Sequence, residues 1–132
     1  MGCEAGLRAC VALAVLLAGT PAFAGDGIAR RIEAGRQAIA TPAGRAWDAA
    51  LTPHIQAAMQ ACAPRDAPGA HLGSFVLVGD VDASGRISDV AVEPASPVAR
   101  CFARRFAAGA LPAPPSAPGG AYPALVEMTV TP

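Results

Sequence analysis

Phe75-Val76-Leu77-Val78-Gly79-Asp80-Val81-Asp82-Ala83-Ser84-Gly85-Arg86-Ile87-Ser88-Asp89-Val90-Ala91-Val92 is the stretch that decides the fold. Phe75 to Val78 is β-branched or bulky throughout. Asp82-Ala83-Ser84-Gly85 is a turn, and Ile87, Val90 and Val92 mark a second strand that ends at Glu93-Pro94. Two apolar runs around a glycine-containing turn predict a hairpin. Val90 and Val92 share one face and Asp89 and Ala91 the other, so one face is buried and the other at least partly wet.

Outward from the hairpin the periodicity changes to that of helices. After it, Ser96-Pro97 is a cap and first helical residue. Val98, Phe102 and Phe106 then form an apolar stripe with Cys101 beside it, and Arg100, Arg104 and Arg105 occupy the other side. This helix ends near Gly109, and Leu111 to Gly120 is a loop rich in proline and glycine. Tyr122 to Thr131 alternates Ala124, Val126, Met128 and Val130 with Leu125, Glu127 and Thr129, which predicts a last strand. Before the hairpin, Gly25 to Pro64 reads as helical. Ile28, Ile32 and Ile39 recur at near-helical spacing, and Thr41-Pro42 stops the first helix near Ala40 and caps the next. Trp47, Leu51, Ile55, Met59 and Cys62 form the following stripe, which kinks or restarts at Thr52-Pro53.

The chain begins with a leader-like segment. Arg8 supplies a positive charge, Ala9 to Leu17 an apolar core, Gly19-Thr20-Pro21 a break, and Ala22-Phe23-Ala24 small residues for cleavage. The expectation is a signal peptide over 1–24 and a single exported domain over 25–132. That domain has a helical part at 25–64, a second part at 73–132, and no stable membrane anchor after cleavage. The apolar run falls short of the roughly 20 residues of a spanning helix. The expected address is the periplasm. The formal net charge of zero offers no one-signed field for nucleic acid or a membrane surface, so no nucleic-acid partner is expected. All basic residues are arginine, which matches the alanine, glycine and proline bias of a GC-rich bacterial genome.

Of the four cysteines, Cys3 and Cys10 would leave with the leader. Cys62 and Cys101 remain, and an even count in a small exported domain favours a disulfide. Two free thiols, a redox pair or a metal site are the rival readings. A redox pair is usually a close C-x-x-C, and a metal site would find only His54 and His71 beside the cysteines. A Cys62–Cys101 bridge would pin the helix before the hairpin to the helix after it, with both on the same sheet face.

The element order predicts an α+β fold: N-terminal helices, then β-β-α-β, with a small three-stranded sheet and helices packed on one face. Val78 to Val92, centred on Asp82-Ala83-Ser84-Gly85-Arg86-Ile87-Ser88-Asp89-Val90, resembles the hairpin of the TonB C-terminal domain. Cys101-Phe102, Phe106 and Leu111-Pro112-Ala113-Pro114-Pro115 resemble the helix and Pro-rich turn of that family, and Tyr122 to Val130 its closing strand. The resemblance covers about 74–132 and implies a periplasmic, peptide-binding fold. It does not imply energy transduction. TonB-type transducers carry a membrane anchor and a long proline-rich linker, and this chain has helices over Gly25 to Cys62 instead.

No residue set points to catalysis, and no enzyme or cofactor is expected. Asp80-Val81-Asp82-Ala83-Ser84-Gly85 imitates the start of an EF-hand loop, but the position of its bidentate glutamate is Ala91, and an Asp-Gly turn explains the same letters. The serines occupy turns, caps or strand edges, and no metal ligand set stands out. The leading expectation is a noncatalytic module that binds another periplasmic or outer-membrane protein by adding a strand to an exposed sheet edge. The candidate edges are Tyr122 to Thr131 and Phe75 to Val81. The candidate partner-binding residues are Tyr122, Leu125, Glu127, Arg100 and Arg104, with Leu125→Asp expected to weaken binding without unfolding. The alternatives are a structural envelope protein or small-molecule binder, and a periplasmic hydrolase using His54 or His71.

Overall fold

A computed structural model describes residues 24–62, 73–117 and 119–130. The leader with Cys3 and Cys10, His71 and Thr131 lie outside these. The elements are α1 Ala24–Ala40, α2 Pro42–Ala50, α3 Thr52–Cys62, β1 Gly73–Val81, β2 Ile87–Glu93, α4 Pro97–Ala108 and β3 Tyr122–Val130. This is the predicted α+β order. The Thr-Pro and Ser-Pro signals set the helix starts. Thr41 Oγ1 accepts the Gly44 N–H at 3.0 Å, and Ser96 Oγ accepts the Ala99 N–H at 3.2 Å. In each case proline follows, where a missing N–H costs nothing. At Thr52-Pro53 the helix restarts, so the stripe from Trp47 to Cys62 is divided between α2 and α3. Among the described residues, no helix is long and apolar enough to cross a membrane.

The sheet is antiparallel with the order β2-β1-β3. β1 is therefore central and paired on both sides, which removes Phe75 to Val81 as a candidate edge. β3 pairs with β1 without interruption from Gly73↔Val130 to Val81↔Tyr122. β2 does not keep so regular a register. Val78 is opposite Ala91 but Asp80 is opposite Ser88, and Asp89 takes φ 51°. This is a bulge, with one extra residue in β2. A short polar side chain tolerates that left-handed backbone better than a branched one. The bulge explains how Ile87 and Val90, an odd number of positions apart, both pack against the core.

Phe75, Leu77 and Val81 of β1 and Ala124, Val126 and Met128 of β3 face α2, α3 and α4, where Trp47, Leu51, Ala58, Val98, Phe102 and Phe106 complete the core. Phe102 is its centre, with its ring 5.3 Å from Phe75 and 5.4 Å from Phe106. Cys62 and Cys101 form a disulfide with Cα atoms 5.7 Å apart, joining α3 to α4 on this face as expected.

The helices pack against the sheet, but α1 does so on the opposite face, and the expectation of one helical face is corrected there. Val78 and Leu125 are buried under α1. A Cβ on Gly35 would stand 2.5 Å from Leu125 Cβ, so glycine is what lets α1 approach so closely. Arg36 Nη2 meets Glu127 Oε1 at 2.7 Å, and Arg31 Nη2 lies 3.8 Å from Asp80 and donates to the Asp89 carbonyl at 2.6 Å. The reason lies in Phe75-Val76-Leu77-Val78. A strand apolar at successive positions needs cover on both faces.

The hairpin turn is held by one carboxylate. Asp82 Oδ1 accepts the Ser84 N–H at 2.9 Å, the Ser84 hydroxyl at 2.6 Å and the Arg86 N–H at 2.9 Å. These donors, the Ser84 hydroxyl first, hold the Asp82 carboxyl below the usual aspartate range. A carboxyl lowered in the folded state gives stability that is present above its unfolded pKa and lost as pH falls through the folded one. Asp82→Asn is expected to lower the thermal midpoint at neutral pH, with the gap to the native protein closing at acid pH. Thermal melts across the acid range check this, and a gap that stays constant with pH would contradict it.

Candidate functional site

β3 is an edge strand, and a groove of about 320 Å³ runs beside it. The groove is lined by Ile39 of α1, Asp48 of α2, Ile55 of α3 and four consecutive β3 residues, Leu125 to Met128. Leu125 and Glu127 point to the α1 face of the sheet, Val126 and Met128 to the other. A cavity that meets both sets must lie along the strand's unpaired edge, because β1 occupies the other side. The helical layers stand above and below this edge, so the chain crosses from one face to the other at Thr41, between α1 and α2.

The two edges differ. β2 is broken by the Asp89 bulge, and Asp89 and Glu93 are exposed on it. Bulges and charges are devices that blunt an edge against unwanted pairing. β3 has no bulge. Pro123 lacks an N–H to offer near its start, which directs any added strand toward 125–128.

The structure separates the sequence candidates. Glu127 is exposed on the edge and held by Arg36. Leu125 lines the groove but is only 4% exposed, wedged under Gly35. Leu125→Asp therefore buries an unpaired charge and unfolds rather than reports on binding, which corrects the earlier expectation. Tyr122 is also buried, at 7% exposure, edge-on to Trp47 with ring centroids 5.0 Å apart. It is a core residue at the start of β3. Arg100 and Arg104 are exposed on α4 and do not line the β3 groove. His54 lines a separate, shallow cleft between α3 and α4 with Arg105.

Asp48, Ile39 and Ile55 were not singled out as site residues by sequence. Asp48 is half-buried, and burial raises its carboxyl above the ordinary aspartate value. A polar residue between Trp47 and Leu51 was the one signal available. Burial first, then the nearby Asp48 charge, pushes the Tyr122 phenol up.

Among the described residues, the buried Tyr122 hydroxyl has no hydrogen-bond partner. Such a group costs about 1–3 kcal/mol. Tyr122→Phe is expected to leave the denaturation midpoint unchanged or raise it, while keeping the edge-on contact with Trp47. A clear loss of stability in urea unfolding would show that the hydroxyl has a partner in solution.

In the loop after α4, Trp47 Nε1 donates to the Pro112 carbonyl at 2.9 Å, and the Leu111 N–H donates to the Gly85 carbonyl at 3.0 Å. Gly85 has φ 86°, and a Cβ there would stand 1.9 Å from the Leu111 carbonyl oxygen. The Pro-rich loop is thus tied to both α2 and the hairpin, which fixes where β3 begins. No family model matches the chain, and neither does any curated protein or solved structure.

Proposed function

We propose that this chain is a noncatalytic, exported periplasmic protein that binds another envelope protein by adding an extended segment of that partner to β3. The observation that carries the reading is the groove at the outer edge of β3, with helices on both faces of the sheet beside it. Backbone hydrogen bonds to the edge would give affinity, and the helical walls would give selectivity. The leader-like segment supports the periplasmic address. The resemblance of 74–132 to the TonB C-terminal domain supports this mode of binding and no role in energy transduction.

The test is site-specific crosslinking in cells. A photoreactive residue is placed at Glu127, on the edge, or at Gln60, exposed on α3, in the tagged, exported protein. Denaturing capture should yield a discrete protein adduct from position 127 and none from position 60. Equal adducts from both positions, or none from 127 at good expression, would contradict the proposal.

A further inference from the structure

Among the described residues, one charge in the groove beside β3 has no neutralising partner. Its charged lining residues are Asp48 and Glu127. Glu127 is held by Arg36 at 2.7 Å. Among the described residues, the Asp48 carboxylate has neither an ion pair nor a hydrogen bond. It is half-buried beside Ile55, in the layer that covers the core face of β3. Ile39 supplies a second apolar wall from α1.

An added strand would send alternate side chains to opposite faces, with same-face neighbours about 7 Å apart. Side chains on one face would meet Asp48 and Ile55, and those on the other would approach the α1 wall at Ile39. Building on the strand-addition reading, we propose that the groove selects an extended peptide that sets an arginine or lysine against Asp48, with apolar side chains at neighbouring positions against Ile55 and Ile39. Such a partner supplies a countercharge that Asp48 lacks among the described residues. A carboxylate partly removed from water and left alone is unfavourable, and a cation brought beside it by the backbone register gains a charge-assisted hydrogen bond in a sheltered place. The burial that raises the Asp48 carboxyl agrees with this picture. An acidic residue at the same peptide position would face like charge, so the site both attracts and rejects.

The probes are two end-blocked, fluorescein-labelled nonapeptides of alternating valine and threonine, one with arginine at its centre and one with glutamate. Each is titrated into the purified exported protein and followed by fluorescence anisotropy. The arginine peptide should bind about tenfold more tightly or better, the scale of one sheltered ion pair. Asp48→Asn should weaken the arginine peptide selectively and bring the two affinities together. That variant should melt no lower than the native protein, because it removes an unpaired half-buried charge. Equal binding of both peptides by the native protein would overturn the assignment to Asp48 and leave strand addition standing. A preference that survives in Asp48→Asn would do the same. Binding of neither peptide would overturn strand addition, and this inference with it.

Discussion

Phe102→Ala should cost about 3–5 kcal/mol, the range for removing a large aromatic side chain from a closed core. Phe102 is fully buried, with ring contacts to Phe75 of the central strand and Phe106 one helical turn on. It links α4 to the sheet at the point where the two halves of the core meet. The surrounding groups are tied by a disulfide and by a hairpin, so they cannot collapse far into the space left. Small domains have total stabilities of about 5–15 kcal/mol, so the loss is a large share of the whole. Urea unfolding should show a much lower midpoint with an unchanged slope. A midpoint within the error of the native protein would mean that α4 does not pack as described.

Opening the Cys62–Cys101 bridge should cost about as much by a different route. The bond closes a loop with a sequence separation of 39, which in the chain-entropy model stabilises by about 4 kcal/mol, acting on the unfolded chain. The folded state should change little, because Cys62 lies in the core and the helices around it are held by Val98, Phe102 and Phe106. The expected result is a large drop in the unfolding midpoint of the native protein on reduction, matched by the Cys62→Ala, Cys101→Ala double variant. Reduction without effect on the midpoint would contradict the bridge. Loss on reduction but not in the double variant would show that the two thiols, rather than the missing bond, cause the change.

The element order was legible because its signals are local. Thr41-Pro42, Thr52-Pro53 and Ser96-Pro97 mark helix starts by backbone chemistry that neighbours cannot override. The alternation from Tyr122 onward and the Asp82 to Gly85 turn are equally local. The pairing of Cys62 with Cys101 followed from a count. Strand order did not follow, since nothing within a strand says which neighbour it takes. β1 had one usable sign, the unbroken apolar run Phe75 to Val78, which marks a strand covered on both faces and therefore a central one. The same sign places α1 on the second face. Gly35, the residue that lets α1 approach Leu125, reads in sequence only as a helix-weakening glycine. The bulge at Asp89 was present as a broken alternation between Ile87 and Val90. The groove was less legible still. Ile39, Asp48 and Ile55 come from three helices, and only the crossing from one sheet face to the other at Thr41 gathers them beside β3.

Amide hydrogen exchange of the purified protein, read residue by residue by NMR with and without the arginine-centred peptide, is the decisive measurement for strand addition. With strand addition, alternate amides within 124–129 of β3 gain protection on binding, while those of β2 keep their free-state rates. Unchanged exchange along β3, or protection gained on β2 instead, would contradict it.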